Sequence, residues 1–116
     1  MRKHLKQGDI IYMNFDPTLG HEQEGNRPAL IVSNDDYNEM CGGLIKVVPI
    51  TTNNKNFPLH IKLPDGLPVH GKALLDHERT IDSLAPERAC RYKCAVPIDF
   101  LEEVIDRIKL TYEKSC

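Results

Sequence analysis

At 116 residues the chain is sized for one compact core, because a single core occupies ~100–200 residues and a second would need more chain. Its composition, 41% hydrophobic and 28% charged, is ordinary for a globular protein and leaves no tract that would have to stay disordered. With 15 Lys and Arg against 17 Asp and Glu, the formal net charge of -2 excludes a global positive field, so any site for a polyanion must be local.

In chain order, Met1-Arg2-Lys3-His4-Leu5-Lys6 has no apolar secretion core behind it, and no later run approaches the ~20 apolar residues of a membrane span. A soluble, cytoplasmic chain without membrane contact is expected. Residues 9–15 (DIIYMNF) read as a strand opening after Gly8, and residues 29–33 (ALIVS) as a second strand started by Pro28. Residues 44–50 (LIKVVPI) form a third, β-branched strand, in which Pro49 predicts an edge position or a bulge. It ends at Thr51-Thr52-Asn53-Asn54.

Shorter strands are predicted over 59–63, 72–76 and 91–95, separated by turn clusters such as Pro64-Asp65-Gly66. Closely spaced short strands suggest a small barrel. The tail changes period: Pro97 suits a first helical residue, Asp99 the first turn, and Ile98, Leu101, Ile105, Ile108 and Tyr112 recur at helical spacing. The expected architecture is one domain, residues 1–116, with an amphipathic helix laid over a barrel.

Cys41, Cys90, Cys94 and Cys116 do not form two Cys-x-x-Cys pairs, and His60, His70 and His77 complete no zinc pattern around Cys90 and Cys94. No metal site is expected, and the thiols read as buried or incidental. Chemistry concentrates instead in Gly20-His21-Glu22-Gln23-Glu24-Gly25-Asn26-Arg27-Pro28, the loop between the first two strands. Arg27 precedes a proline, which drives its backbone toward the extended region and presents its guanidinium from a fixed point. An ion pair to Glu22 or Glu24 is the structural alternative.

The series Gly8-Asp9, Asp16-Pro17-Thr18-x-Gly20-His21-Glu22-Gln23-x-Gly25-x-Arg27-Pro28-Ala29, Pro49-Ile50-Thr51-Thr52 and Leu75-Asp76-His77-x-Arg79-Thr80-Ile81-Asp82 resembles the MazF/PemK/Kid toxins of type II toxin–antitoxin systems. The match runs over roughly residues 8 to 82. The resemblance implies a mainly β fold, a small SH3-like barrel of the CcdB/MazF kind with a C-terminal α-helix. It also implies a homodimer that cleaves single-stranded RNA, mRNA in most members, without a metal or other cofactor. The RNA's own 2′-hydroxyl attacks, leaving a 2′,3′-cyclic phosphate and a 5′-hydroxyl. The implied partner is a MazE-like antitoxin whose acidic, disordered segment fills the RNA groove.

The resemblance carries catalytic roles to Arg27 and Thr51. A planar guanidinium gives two parallel donors to a phosphate and holds its proton tightly, which favours a stabiliser of charge over a proton donor. Thr51 offers a hydroxyl to a phosphate oxygen, the alternative being an ordinary turn threonine. Glu22 is the first candidate base for the 2′-hydroxyl, against a plain surface glutamate. His21, Gln23, Asn26, Thr52, Asn53 and Asp76 are candidate substrate contacts, able to stack on or hydrogen-bond unstacked bases. For His21 a solvated loop histidine, and for Asp76 a structural role, stand as alternatives.

One departure concerns the Kid branch, whose catalytic arginine two residues before the aspartate is replaced here by Leu74. A locally positive groove built from Arg27, Lys55 and Lys72 would reconcile the near-neutral net charge with RNA binding. The competing functional class is a non-enzymatic, CcdB-like gyrase poison of the same fold, which would have no need of Arg27 and Thr51 in this arrangement.

Overall fold

The computed structural model describes residues 5–15, 26–52 and 55–115. Among them are strands β1 (Asp9–Asn14), β2 (Asn26–Ile31), β3 (Leu44–Thr51), β4 (His60–Lys62), β5 (Lys72–Leu74), β6 (Arg79–Asp82) and β7 (Arg91–Ala95), and helices α1 (Asp35–Met40) and α2 (Ile98–Leu110). The strands form one antiparallel sheet in the order β4-β5-β3-β2-β1-β7, and β6 pairs with β3 off that path. The sheet curls without closing, a barrel-like arrangement that agrees with the expected mainly β fold and its C-terminal helix.

Successive residues of a strand face opposite sides, so a strand buried on both sides must be apolar at consecutive positions. That is how β1, β2 and β3 are written. Ile10, Leu30, Val48 and Ile50 join Ile61, Leu75 and, from α2, Phe100 and Val104 in one cluster. Their sequence neighbours Ile11, Met13, Ala29, Ile31 and Val47 turn the other way and pack with Ile45 and Ile81 in a second. A one-residue slip between these strands would exchange the two clusters, which locks the register.

Pro49 does not mark an edge strand, since β3 lies inside the sheet with β2 on one flank. The other flank changes hands: β6 pairs with Leu44–Val47 and β5 with Ile50–Thr51. Pro49 stands in the gap between these two ladders, where its missing N–H costs no ladder bond there. The second strand begins at Asn26, ahead of the proline expected to start it, because Asn26, Arg27 and Pro28 pair with Asn14, Met13 and Tyr12 on β1.

Two elements went unread in the sequence. β6 buries only Ile81 of its four residues, too little alternation to declare a strand. Helix α1 buries nothing and is held by its cap, Asn34, whose side chain accepts from the Tyr37 backbone N–H at 2.8 Å. The segment 72–76 is a strand only to Leu74, then a 3-10 turn over Leu75–His77.

In α2 the buried residues are Phe100, Leu101 and Val104, while Ile98 is 70% and Tyr112 71% exposed. Pro97 caps the helix from outside instead of forming its first residue. At ~100° per residue Ile98 falls nearly a third of a turn from the centre of the buried stripe, and Tyr112 lies past the helix end. Val104 is fully buried between α2 and the sheet. Val104→Ala is expected to lower stability by about 2 kcal/mol through lost burial and an unfilled cavity, read as an unchanged slope and lower midpoint in urea.

Candidate active site

The loop of interest is the connection of the β1–β2 hairpin, and both of its ends are held. On the β1 side, Arg88 Nη1 donates to the carbonyl oxygens of Asn14 and Phe15, each at 3.1 Å. Asn14 Nδ2 donates to the Glu87 carbonyl at 3.2 Å, and the Arg79 guanidinium lies 5.6 Å from the centre of the Phe15 ring. On the β2 side, Asn26 pairs with Asn14 and closes the hairpin. His21, Glu22 and Gln23 of this loop, and Asn53 after β3, lie outside the described residues.

Arg27 sits at the second position of β2, exposed, and makes no ion pair among the described residues. Its neighbours follow from register. Ile31, Leu30 and Ala29 pair with Val47, Val48 and Pro49. Continuing that register by two residues sets Arg27 across from Thr51, both on the face of Ala29 and Ile31, and cross-strand partners have Cβ atoms ~4.5–5.5 Å apart. The paired ladder ends at Ala29 and Pro49, two residues short of Arg27 and Thr51 on the same face. Thr52 follows immediately, and Asn26 precedes Arg27 on the opposite face. Asn26 Oδ1 is buried and without a hydrogen-bond partner among the described residues, an unfilled acceptor of the kind that demands a donor.

On its other flank Thr51 pairs with Lys72 of β5. The Lys72 ammonium donates to the Lys55 carbonyl at 2.7 Å and to Asn56 Oδ1 at 3.3 Å, pinning the segment after β3 beside Thr51. Of the expected basic grouping of Arg27, Lys55 and Lys72, Lys72 stands beside Thr51 with its ammonium on the Lys55 backbone. Gly71 gives this corner its tightness. Its φ of +130° suits glycine, and a Cβ there would lie 2.9 Å from the Thr51 carbonyl carbon and closer still to its oxygen.

Asp76 is placed elsewhere. It follows β5 in the direction that leads away from the Lys72–Thr51 pair, and its carboxylate is engaged by imidazoles: His60 Nε2 at 3.1 Å from Oδ1 and His77 Nε2 at 3.7 Å from Oδ2. Leu74 faces His60 across the β4–β5 ladder and is buried. Asn26 and Arg27 thus open β2 and Thr51 and Thr52 end β3, its antiparallel neighbour, while Asp76 lies past the other end of β5 from the Lys72–Thr51 pair. Sequence reasoning missed Gly71 and Arg88. A glycine just before a short strand was the available signal for the first; nothing local announced the second.

Cys90 is poorly suited to act as a nucleophile. Burial pushes the Cys90 thiol up to about 11, against a smaller downward pull from Arg88. At pH 8 only about 0.1% of Cys90 is then thiolate, so iodoacetamide is expected to label it far more slowly than an ordinary thiol. The rate should rise about 10-fold per pH unit up to its pKa, as peptide mapping would show.

Comparison with known proteins places these features. A family model described as "PemK-like, MazF-like toxin of type II toxin-antitoxin system" matches residues 6–112. The endoribonuclease toxin ChpB of Escherichia coli K12 is 33% identical over 120 aligned positions, covering 97% of both chains. The endoribonuclease toxin MazF of the same organism is 42% identical over 74 residues, which span 64% of this chain and 65% of that protein's length. Among solved structures, MazF of Deinococcus radiodurans superposes with a TM-score of 0.79 at 34% identity, over 96% of this chain and 98% of that one. A MazE-MazF crystal structure from the same organism gives 0.79 at 30% identity, over 98% and 100%. With nearly its whole length matched in sequence and in fold, the chain belongs to the PemK-like, MazF-like toxins of type II toxin–antitoxin systems.

Proposed function

We propose that the chain is a cytoplasmic endoribonuclease toxin that cuts single-stranded RNA, mRNA foremost, at selected sequences without a metal ion. The observation that supports this reading is the β2–β3–β5 register: Ala29 pairs with Pro49 and Thr51 with Lys72, so the same register carried two residues further would put Arg27 opposite Thr51. A scissile phosphate crowded by an attacking oxygen needs such a group of donors. The 2′-oxygen bonds to phosphorus as the bond from phosphorus to O5′ breaks. The 2′-hydroxyl proton passes to a base, for which Glu22 is the candidate, and the departing 5′-oxygen takes up a proton. The products are a 2′,3′-cyclic phosphate and a 5′-hydroxyl.

Substrate reading falls to side chains around that phosphate site. Asn26 Oδ1, buried and without a partner among the described residues, suits the exocyclic amine of a base. Thr52 and, from the neighbouring loops, His21, Gln23 and Asn53 complete the candidate contacts. Asp76, engaged by two imidazoles, is a more distant contact for the strand.

A homodimer accords with exposed apolar side chains on this part of the fold, Leu84 at 73% against Gly43, Leu44 at 40% and Met40 at 82%. The MazE-MazF structures of the Deinococcus relative support an antitoxin of MazE kind as the partner. An acidic segment of such a partner would find the Arg27 and Lys72 cations that RNA would otherwise meet.

The reading is tested by incubating the purified protein in EDTA with a defined single-stranded transcript and mapping cut sites and 3′ ends. Thr51→Val keeps the shape of the side chain and removes the hydroxyl. It is expected to slow cleavage about 10–100-fold, the worth of one hydrogen bond to a charged group, with little change in KM. An unaltered rate would return Thr51 to a structural role.

A further inference from the structure

We infer that His60, Asp76 and His77 form a binding site for a divalent transition-metal ion of the zinc class, on a corner of the fold away from Arg27 and Thr51. One ligand atom from each of the three residues lies within 4.8 Å of the others. His60 Nε2 is 3.1 Å from Asp76 Oδ1, and His77 Nε2 is 3.7 Å from Asp76 Oδ2. Donors held ~2.0–2.2 Å from one ion stand about 3–4 Å from each other, so the three groups need only small side-chain rotations to share it. The two imidazole rings are 6.3 Å apart and steeply inclined, at 77°, and each has its Nε2 turned to the Asp76 carboxylate.

The scaffold under these donors is pinned. His60 opens β4 and pairs with Leu74 of β5, while Leu75 N–H donates to the Leu59 carbonyl at 2.8 Å. Backbone bonds on both sides of His60 therefore hold it against the 3-10 turn that carries Asp76 and His77. The Phe57 ring, 5.0 Å from the imidazole of His60, backs that side chain. Side-chain exposure grades from 10% at His60 through 33% at Asp76 to 56% at His77. One donor is sheltered, and the opposite side is open for water to complete the coordination.

Two imidazoles and one carboxylate suit Zn2+, Co2+, Ni2+ or Cu2+ and are poor for Mg2+ or Ca2+, which prefer all-oxygen sets. An ion there would tie β4 to the turn after β5 and raise stability. It takes no part in the phosphate chemistry proposed above, and the inference does not depend on that chemistry.

The test uses the full chain, stripped with EDTA and exchanged into chelator-free buffer. Co2+ titration should show visible d–d absorption saturating at one ion per chain, without the near-ultraviolet charge-transfer band that thiolate ligands give. Zn2+ at about 100 times its Kd should raise the melting temperature by several degrees. His77→Gln, at an exposed position, should leave the metal-free melting temperature unchanged and weaken Co2+ binding at least about 10-fold. His60→Gln should weaken it at least as much. A thiolate band, equal affinity in His77→Gln, or no saturable binding to the wild-type chain would overturn the site.

Discussion

Arg27→Ala is expected to slow RNA cleavage ~100–1000-fold while the protein stays folded, because it removes the donor proposed to stabilise charge on the phosphate and little else. Arg27 is exposed and makes no ion pair among the described residues, so its loss should change stability by no more than about 0.5 kcal/mol. Arg27→Lys separates charge from geometry. The ammonium keeps the positive charge but loses the planar two-donor fork, so partial activity is expected, well below wild type. Single-turnover rates on a short RNA with one cut site, beside thermal melts of each variant, measure both quantities. A folded Arg27→Ala protein with the wild-type rate would remove this residue from the reaction.

Gly71→Ala should damage stability and activity together, and for a different reason. A Cβ at Gly71 would be driven onto the carbonyl of Thr51 and lie 3.3 Å from Ile50 Cγ2, in a backbone conformation with φ of +130°. The obstructing atoms are backbone at the end of β3, so relief requires the strand end itself to move. A loss of about 2–3 kcal/mol is expected from the combined strain and clash, seen as a lower urea midpoint. Because Thr51 moves with that carbonyl, the folded fraction should also cleave at least about 10-fold more slowly, as small misplacements of positioning groups do. Gly66→Ala supplies the comparison. Gly66 also has a positive φ, +92°, but a Cβ there meets nothing within 4 Å. It should cost only ~1–2 kcal/mol and leave the rate of the folded protein intact.

Much of this architecture could be read from residues in order, and what could not has identifiable physical causes. The strands 9–15, 44–50 and 91–95 were legible because β-branched runs and turn residues bound them, and the tail because its period changes to that of a helix. The buried face of α2 was misjudged at Ile98 and Tyr112, since a list of apolar residues does not say where the helix stops. Pro49 suggested an edge, yet the strand is internal, because β5 and β6 divide one flank between them. That division is a property of topology and leaves no local mark in the sequence.

The candidate site divides in the same way. The motif around Arg27 and the threonines after Ile50 named the residues; only the β2–β3 register explains why they should meet. His60 and Asp76 are 16 residues apart and follow no metal-ligand spacing, so no zinc pattern was visible. Antiparallel pairing of β4 with β5 brings them within hydrogen-bonding distance. Gly71 and Arg88 likewise acquire meaning from what they touch, Thr51 in one case and the carbonyls of Asn14 and Phe15 in the other.

If the RNA's own 2′-hydroxyl attacks, as proposed, at a phosphate held by Arg27 and Thr51, removing that one hydroxyl must stop cleavage. The most direct test takes a single-stranded RNA with one mapped cut site and a matched oligonucleotide carrying 2′-deoxyribose only on the nucleotide 5′ to the cut. Each is incubated with the purified protein in EDTA. Cleavage of the all-RNA strand to a 2′,3′-cyclic phosphate, with none at the deoxy position, is the predicted result. Cleavage of the deoxy strand, or a 5′-phosphate on the downstream product, would contradict the mechanism. Failure of the folded, antitoxin-free protein to cut any single-stranded RNA would favour a protein-binding poison instead.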